Sequence, residues 1–320
     1  MARSLIWAIL GVLVSFGTGN PAAAEFTVGA PQRVGTITSG TLDEVSGLAA
    51  SRSNPDTLWV HNDSGDTALF FAMSHAGDLL GTFQLAGMTA RDWEDIAIGP
   101  KSDGGNYLYL GDVGDNDAVR SSISVHRVVE PSTTAGGSLA VGSYQTLFLK
   151  YPNGARDVES IFVDPVSEEM FFITKRRLIP EVYSVPVSAF DTATETMTLT
   201  SQGTFLTLPF GATAADISPD GRFILVRTSS AAPGRLYERL PGQSVVDAFQ
   251  SGYTPFALGP ESQGEAIGWA ADGKSFYTTS EFDGRPTAPI HSYAFTVPEP
   301  ATWWLLSAGG LTLIARRQKA

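Results

Sequence analysis

Between residues 44 and 293 one order of short apolar runs recurs five times. Taking Leu48, Ile96, Ile161, Ile217 and Ile267 as equivalent, the modules are 48, 65, 56 and 50 residues apart. A second run follows each of these at 57–60, 107–110, 170–173, 223–226 and 275–278. A third follows at 69–72, 123–126, 182–185, 236–239 and 290–293, and a weaker fourth at 81–85, 145–149, 198–208 and 254–258. The runs are β-branched or aromatic and are bounded by Gly, Pro, Asp and Asn, the composition of strands between tight turns. Four strands repeated at a period near 50 residues predict an all-β protein, a β-propeller. A single module is too small to cover both of its faces, so each must pack on its neighbours around a shared axis.

Five modules predict five blades. The fifth lacks a fourth strand, and the stretch 26–37 has no partner of its own, so it is expected to pair with the last blade and close the ring. A six-bladed ring is the alternative, because the 65-residue interval is wide enough to hide a degenerate blade. An unclosed β-sandwich is the third choice. Residues 130–142 read as a surface loop, and no window of the body carries a long helical period.

The two ends differ from this body. Arg3, an apolar run over 5–16 and the small residues Ala22 to Ala24 before Glu25 read as a secretory signal over residues 1–24, cut between Ala24 and Glu25. At the other end Pro298-Glu299-Pro300 precedes an apolar stretch over 301–315 and then Arg316 and Arg317. As a helix that stretch spans roughly 22 Å, short of a typical hydrocarbon core of roughly 30 Å, so it reads as a transient anchor. Its basic end should stay cytoplasmic, leaving the body, residues 25–296, outside.

The Pro-Glu-Pro triplet, the apolar span and the terminal arginines over 297–320 resemble the PEP-CTERM sorting signal of Gram-negative bacteria. The resemblance implies recognition by an exosortase in the inner membrane. Cleavage near the triplet and release to the cell surface or into an exopolysaccharide matrix would follow. It carries over no activity for the blades.

Charge and residue type narrow the chemistry. With 21 Lys and Arg against 33 Asp and Glu, the chain has a net charge of −12, which argues against a nucleic-acid partner. It has no cysteine, so disulfides, thiolate metal sites and a cysteine nucleophile are excluded. Its four histidines, His61, His75, His126 and His291, show no metal-pair spacing. No organic cofactor motif stands in the sequence.

The acids cluster at the start of first strands (Asp43, Glu44, Asp92, Glu94, Asp95, Asp157, Glu159, Asp216, Glu265) and at the end of second strands (Asp63, Asp66, Asp112, Asp115, Asp117). In a propeller both positions converge on the channel. The equivalent places in later modules carry Lys175, Arg176, Arg177, Arg227 and Glu281, so acid on blades one, two and five is expected to face base on blades three and four. Three readings are open. In the first, Asp63, Asp66, Asp112, Asp115 and Asn116 hold Ca²⁺, which takes about 6–8 oxygen ligands. The run from Asp112 is no EF-hand, since Asp117 stands where the turn glycine belongs. In the second, Lys175, Arg176, Arg227, Glu281 and Trp93 line a polar pocket for an anionic or sugar-like ligand. In the third, the acids only form turns and tie blades together.

Catalysis, if any, falls to Glu94, Asp115, Glu159, Glu265 or His61. Adjacent strand residues point to opposite faces, which sets Glu94 and Asp95 apart as an acid–base pair. The expected protein is an exported monomer that binds rather than catalyses, with a metal-assisted hydrolase acting on phosphate esters or glycans as the alternative.

Overall fold

The computed structural model describes residues 26–298, except 64–66, 102, 134–136, 176–178, 205–207, 209–210 and 229–231. Val28–Phe295 form one compact unit.

Five antiparallel sheets make up this unit. Blade 1 runs outward through Val45–Ala50, Thr57–Asn62, Leu69–Ser74 and Leu79–Leu85. Blade 2 holds Trp93–Pro100, Asn106–Asp112, Ile123–Val129 and Gln145–Lys150, and blade 3 holds Val158–Asp164, Glu169–Thr174, Val182–Pro186 and Thr200–Gly203. Blade 4 is Ala214–Ile217, Phe223–Arg227, Gly234–Glu238 and Thr254–Phe256. Blade 5 is Gln263–Trp269, Ser275–Glu281 and Ala288–Thr296. The innermost strand of each blade packs against those of the two flanking blades, and that of blade 5 meets that of blade 1. The circuit is closed, and the molecule is a five-bladed β-propeller.

The closing device is the expected one. Gln32–Ile37 pairs antiparallel with Ala288–Thr296 and becomes the outer strand of blade 5. The chain's first and last strands therefore share one sheet, and no blade edge is left open at the seam.

The wide second interval hides no sixth blade. Ser138–Val141, expected to lie in a loop, adds in parallel to the outer edge of blade 1 at Leu79–Leu85. Met197–Thr198 does the same for blade 2 at Gln145–Lys150. Each strand latches a blade to the one before it. Two short helices, Ala189–Thr192 and Val245–Gln250, lie between strands. Ser244 and Asp247 cap the second reciprocally, a local signal that a search for long periods passes over.

Apolar side chains fill the layers between blades. Trp59, Phe70, Ile96 and Leu108 pack between blades 1 and 2, and Tyr109, Ile123, Ile161 and Phe172 between blades 2 and 3. Phe223, Trp269, Phe276 and Phe295 stack between blades 4 and 5. Burial on both sheet faces explains why the runs read as continuous apolar segments. Among the described residues no helix is long and apolar enough to cross a membrane; the stretch 301–315 lies outside them.

Candidate functional site: a carboxylate ring at one channel mouth

In blades 1, 2, 3 and 5 the innermost strand slips register by one residue at its first pairs. The residues passed over are Ser46, Glu94, Glu159 and Glu265. Each is a β-bulge, which leaves one residue unpaired and re-aims its side chain. The expected alternation of Glu94 and Asp95 is thereby broken. Glu94 joins the mouth cluster. Asp95 is buried between blades, accepting from Ile96 N and Ile161 N at 2.9 Å each.

The bulged Glu94, Glu159 and Glu265 meet Asp63, Asp92, Asp157 and Glu281, so that carboxylates from blades 1, 2, 3 and 5 come together. Three overlapping groups have oxygens within 4.8 Å of one another: Asp63, Glu265 and Glu281; Asp63, Asp92 and Glu94; Glu94, Asp157 and Glu159. Lys175 enters the ring, ion-paired with Glu159 and 3.9 Å from Glu265.

Crowding and burial push the acids toward their neutral forms. Burial, then the charge of Asp63, lifts Asp92 to about 6. Burial lifts Glu159 to about 8 against the pull of Lys175. Burial and a hydrogen bond with Glu265 lift Glu281 to about 9. Burial, then Glu159, Asp63 and Asp92, drives Glu94 well above the carboxylate range. Glu94 is only 3% exposed, and among the described residues no hydrogen bond to its carboxylate is found; Glu281 Oε1, in the neighbouring group, is likewise buried without a partner among them. A Cβ on Gly114 would overlap Glu94 Oε1 and come within 2.6 Å of the Asp92 carboxylate, so glycine backbone forms one wall of this cradle.

The expected site residues divide. Glu94, Glu159, Glu265, Glu281, Lys175 and Asp63 come together at the mouth. Asp112 and Asp115 hold the loop that shapes it. Asp112 accepts from Arg91 N and Asp92 N at 3.2 Å and pairs with Arg120 at 2.8 Å. Asp115 accepts from Val119 N at 2.9 Å and Arg120 N at 2.7 Å. Their oxygens are already committed, and Asn116 is exposed on the turn between them and Arg120, so this part of the expected Ca²⁺ set is corrected to a scaffold. Asp157 connects the scaffold to the ring by accepting from Asp115 N at 3.0 Å.

Trp93 is no stacking platform. It is 2% exposed within the layer between blades 1 and 2, edge-on to His61. His61 is buried as well, which lowers its pKa and keeps it neutral; Nδ1 contacts Asn62 O at 2.8 Å, and it belongs to none of the carboxylate groups. Arg227 does not face the acids from blade 4 as a free base. Its buried guanidinium bonds Glu261 at 2.7 Å and the carbonyls of Ala266 and Thr279. The expected opposition of acidic and basic blades is therefore corrected: blade 3 supplies both Asp157 and Glu159 and the cation Lys175. Asp66, Arg176, Arg177, Ala22, Ala24, Glu25, Glu299, Pro300, Arg316 and Arg317 lie outside the described residues, and Pro298 is exposed at their border.

Sequence reasoning missed Gly114, and gave Asp92 and Asp157 no role beyond the acidic pattern. The signal for Gly114 was its place in a Gly-Asp-rich run, which reads equally as a plain turn.

Comparison with known proteins bears mainly on the tail. Residues 296–319 match the PEP-CTERM protein-sorting motif. A comparison with curated proteins finds no match. Among solved structures, a luciferin-regenerating enzyme aligns at 10% identity and a TM-score of 0.46, over 84% of this chain and 95% of that chain. A likeness at that level carries no argument about the mouth. The chain is thus a five-bladed β-propeller that ends in a PEP-CTERM sorting motif, the mark of an exported protein processed through a membrane-anchored intermediate.

Proposed function

We propose that this is an exported binding protein whose propeller mouth takes up a divalent cation, Ca²⁺ by its ligand chemistry. A leader over 1–24 starts export, and an exosortase processes the tail for delivery to the cell surface or a polysaccharide matrix. The observation that carries the cation reading is Glu94. A carboxylate buried to 3% exposure with no donor among the described residues, set among Asp63, Asp92, Asp157 and Glu159, is costly unless it is protonated or meets a cation. Hard oxygen donors from separate blades suit the flexible coordination of Ca²⁺, and no sulfur or imidazole joins the described groups.

A ligand that binds only the native state raises its stability, by about 2.7 kcal/mol at ~100 times Kd. Melts of the purified protein in millimolar Ca²⁺ and in chelator therefore test the reading. A clear upward shift with Ca²⁺ supports it, and coincident curves overturn it.

Glu281 favours a second reading, a metal-assisted hydrolase. Held up to about 9 beside ionisable neighbours, it keeps a proton at neutral pH and could donate it to a leaving group on a phosphate ester or glycan. Turnover across an ester and glycoside panel, lost in Glu281→Gln, separates this from pure binding.

A further inference from the structure

Lys175 holds an odd place in an acidic mouth. Its ammonium pairs with Glu159 from one carboxylate group and lies 3.9 Å from Glu265 of another. Its backbone is fixed at the level of the ring, because Lys175 N donates to Asp157 O at 3.1 Å. The side chain, however, is 27% exposed and stands on a flexible four-carbon stem that reaches solvent. An ammonium is a compact, strongly hydrated point charge, the nearest a side chain comes to a metal ion. It brings one charge to a ring of seven carboxylates, and its partners there are Glu159 and Glu265, not Glu94.

We infer that Lys175 is a tethered stand-in for the cation, occupying Glu159 until a divalent ion arrives and swinging out to solvent when it does. The inference rests on the cation reading of the mouth and adds its control. An ammonium on Glu159 and a divalent ion in the same carboxylate group repel each other at close range, which weighs against both being held together. Uptake of the ion therefore includes breaking the Lys175–Glu159 pair. The lysine sets a threshold: weak or monovalent cations fail to displace it, and Glu159 keeps a cationic partner without metal during export.

Two measurements on the full chain test this. The first is Ca²⁺ affinity of the wild type and of Lys175→Met, with Lys175→Gln as a second variant should Met disturb the mouth. Removing the competitor should tighten binding tenfold or more. The second needs no variant. Acylation of Lys175 by an amine-reactive reagent, read by mass spectrometry, should rise several-fold on adding Ca²⁺ as the ammonium leaves the ring. Binding by the variant but not by the wild type also supports the inference, as a lysine that blocks the site outright. Ca²⁺ binding by the wild type with unchanged or weaker binding by Lys175→Met, or without increased labelling, overturns the inference and leaves the cation reading intact. No binding by either protein overturns both.

Discussion

Asp95 and Asp216 repeat one arrangement at two blade interfaces. Asp95 accepts from its own strand at Ile96 N and from blade 3 at Ile161 N. Asp216 accepts from Ile217 N at 2.8 Å and from blade 5 at Trp269 N at 2.7 Å. Each carboxylate ties its innermost strand to the next blade's, so these buried acids hold the ring together. Replacing either with alanine leaves two buried N–H groups without an acceptor, at about 1–3 kcal/mol each. Asp95→Ala and Asp216→Ala are each expected to lose about 3 kcal/mol or more. The check is the urea midpoint, shifted at constant slope.

The contrast between Glu94 and Asp95 also shows what was legible in the sequence. The modules could be read because burial on both faces writes continuous apolar runs at Leu48, Ile96, Ile161 and Ile267. The closing strand at 32–37 could be read because it had no other partner. The role of each acid could not, because it depends on hydrogen-bond register. Strict alternation places Glu94 and Asp95 on opposite faces, but a one-residue slip sends one to the mouth and the other between blades. Asp112 and Asp115 misled for a related reason. Their carboxylates cap their own turn and Arg120, and composition alone does not separate such an acid from a ligand.

Glu94 is the acid whose removal best separates site from scaffold. Gln at this position keeps the shape and removes a buried carboxyl that no described residue hydrogen-bonds. Glu94→Gln is therefore expected to gain about 1 kcal/mol in the absence of cation and to lose its response to Ca²⁺. Melting curves in chelator and in Ca²⁺ check both signs at once. A purely structural Glu94 predicts destabilisation instead.

Gly114 tests the wall of the cradle. The added methyl of Gly114→Ala must push aside the carboxylates of Glu94 and Asp92, both movable side-chain ends. Overpacking of this kind typically costs about 1–3 kcal/mol. The larger effect should fall on the site, with Ca²⁺ affinity down tenfold or more, about 1.4 kcal/mol. Titration calorimetry on the folded variant reads it.

His126 sets an acid limit on stability. It is buried beside Trp93, with Nδ1 3.0 Å from Thr146 Oγ1, and burial lowers its pKa to about 4 from an ordinary 6.5. Between those values the unfolded chain binds the proton and the folded chain does not. The contribution is present above pH 6.5 and is lost as pH falls toward 4, amounting to about 3 kcal/mol. The raised carboxylates of the mouth act in the opposite sense, but they are common to wild type and to His126→Gln. The stability difference between these two proteins should therefore change by that amount between pH 7 and pH 4, as read by urea denaturation at each pH.

The tail predicts the protein's destination independently of the mouth. The PEP-CTERM motif covers 296–319, beginning at the final residue of the last blade strand, Ala288–Thr296. On the proposed reading, an exosortase cuts the exported, membrane-anchored intermediate between the propeller and the tail, and delivery depends on that cut. Alanines at Pro298, Glu299 and Pro300 leave the anchor and its terminal arginines unchanged and remove the proposed recognition element. The variant should accumulate in the inner-membrane fraction, at the mass of the uncut chain, with the surface fraction reduced to background. Fractionation followed by mass spectrometry of the C-terminal peptide reads both. Unchanged surface delivery with an intact tail would show that the motif does not direct sorting in this chain, whereas a cut tail still found in the membrane would place the block after cleavage.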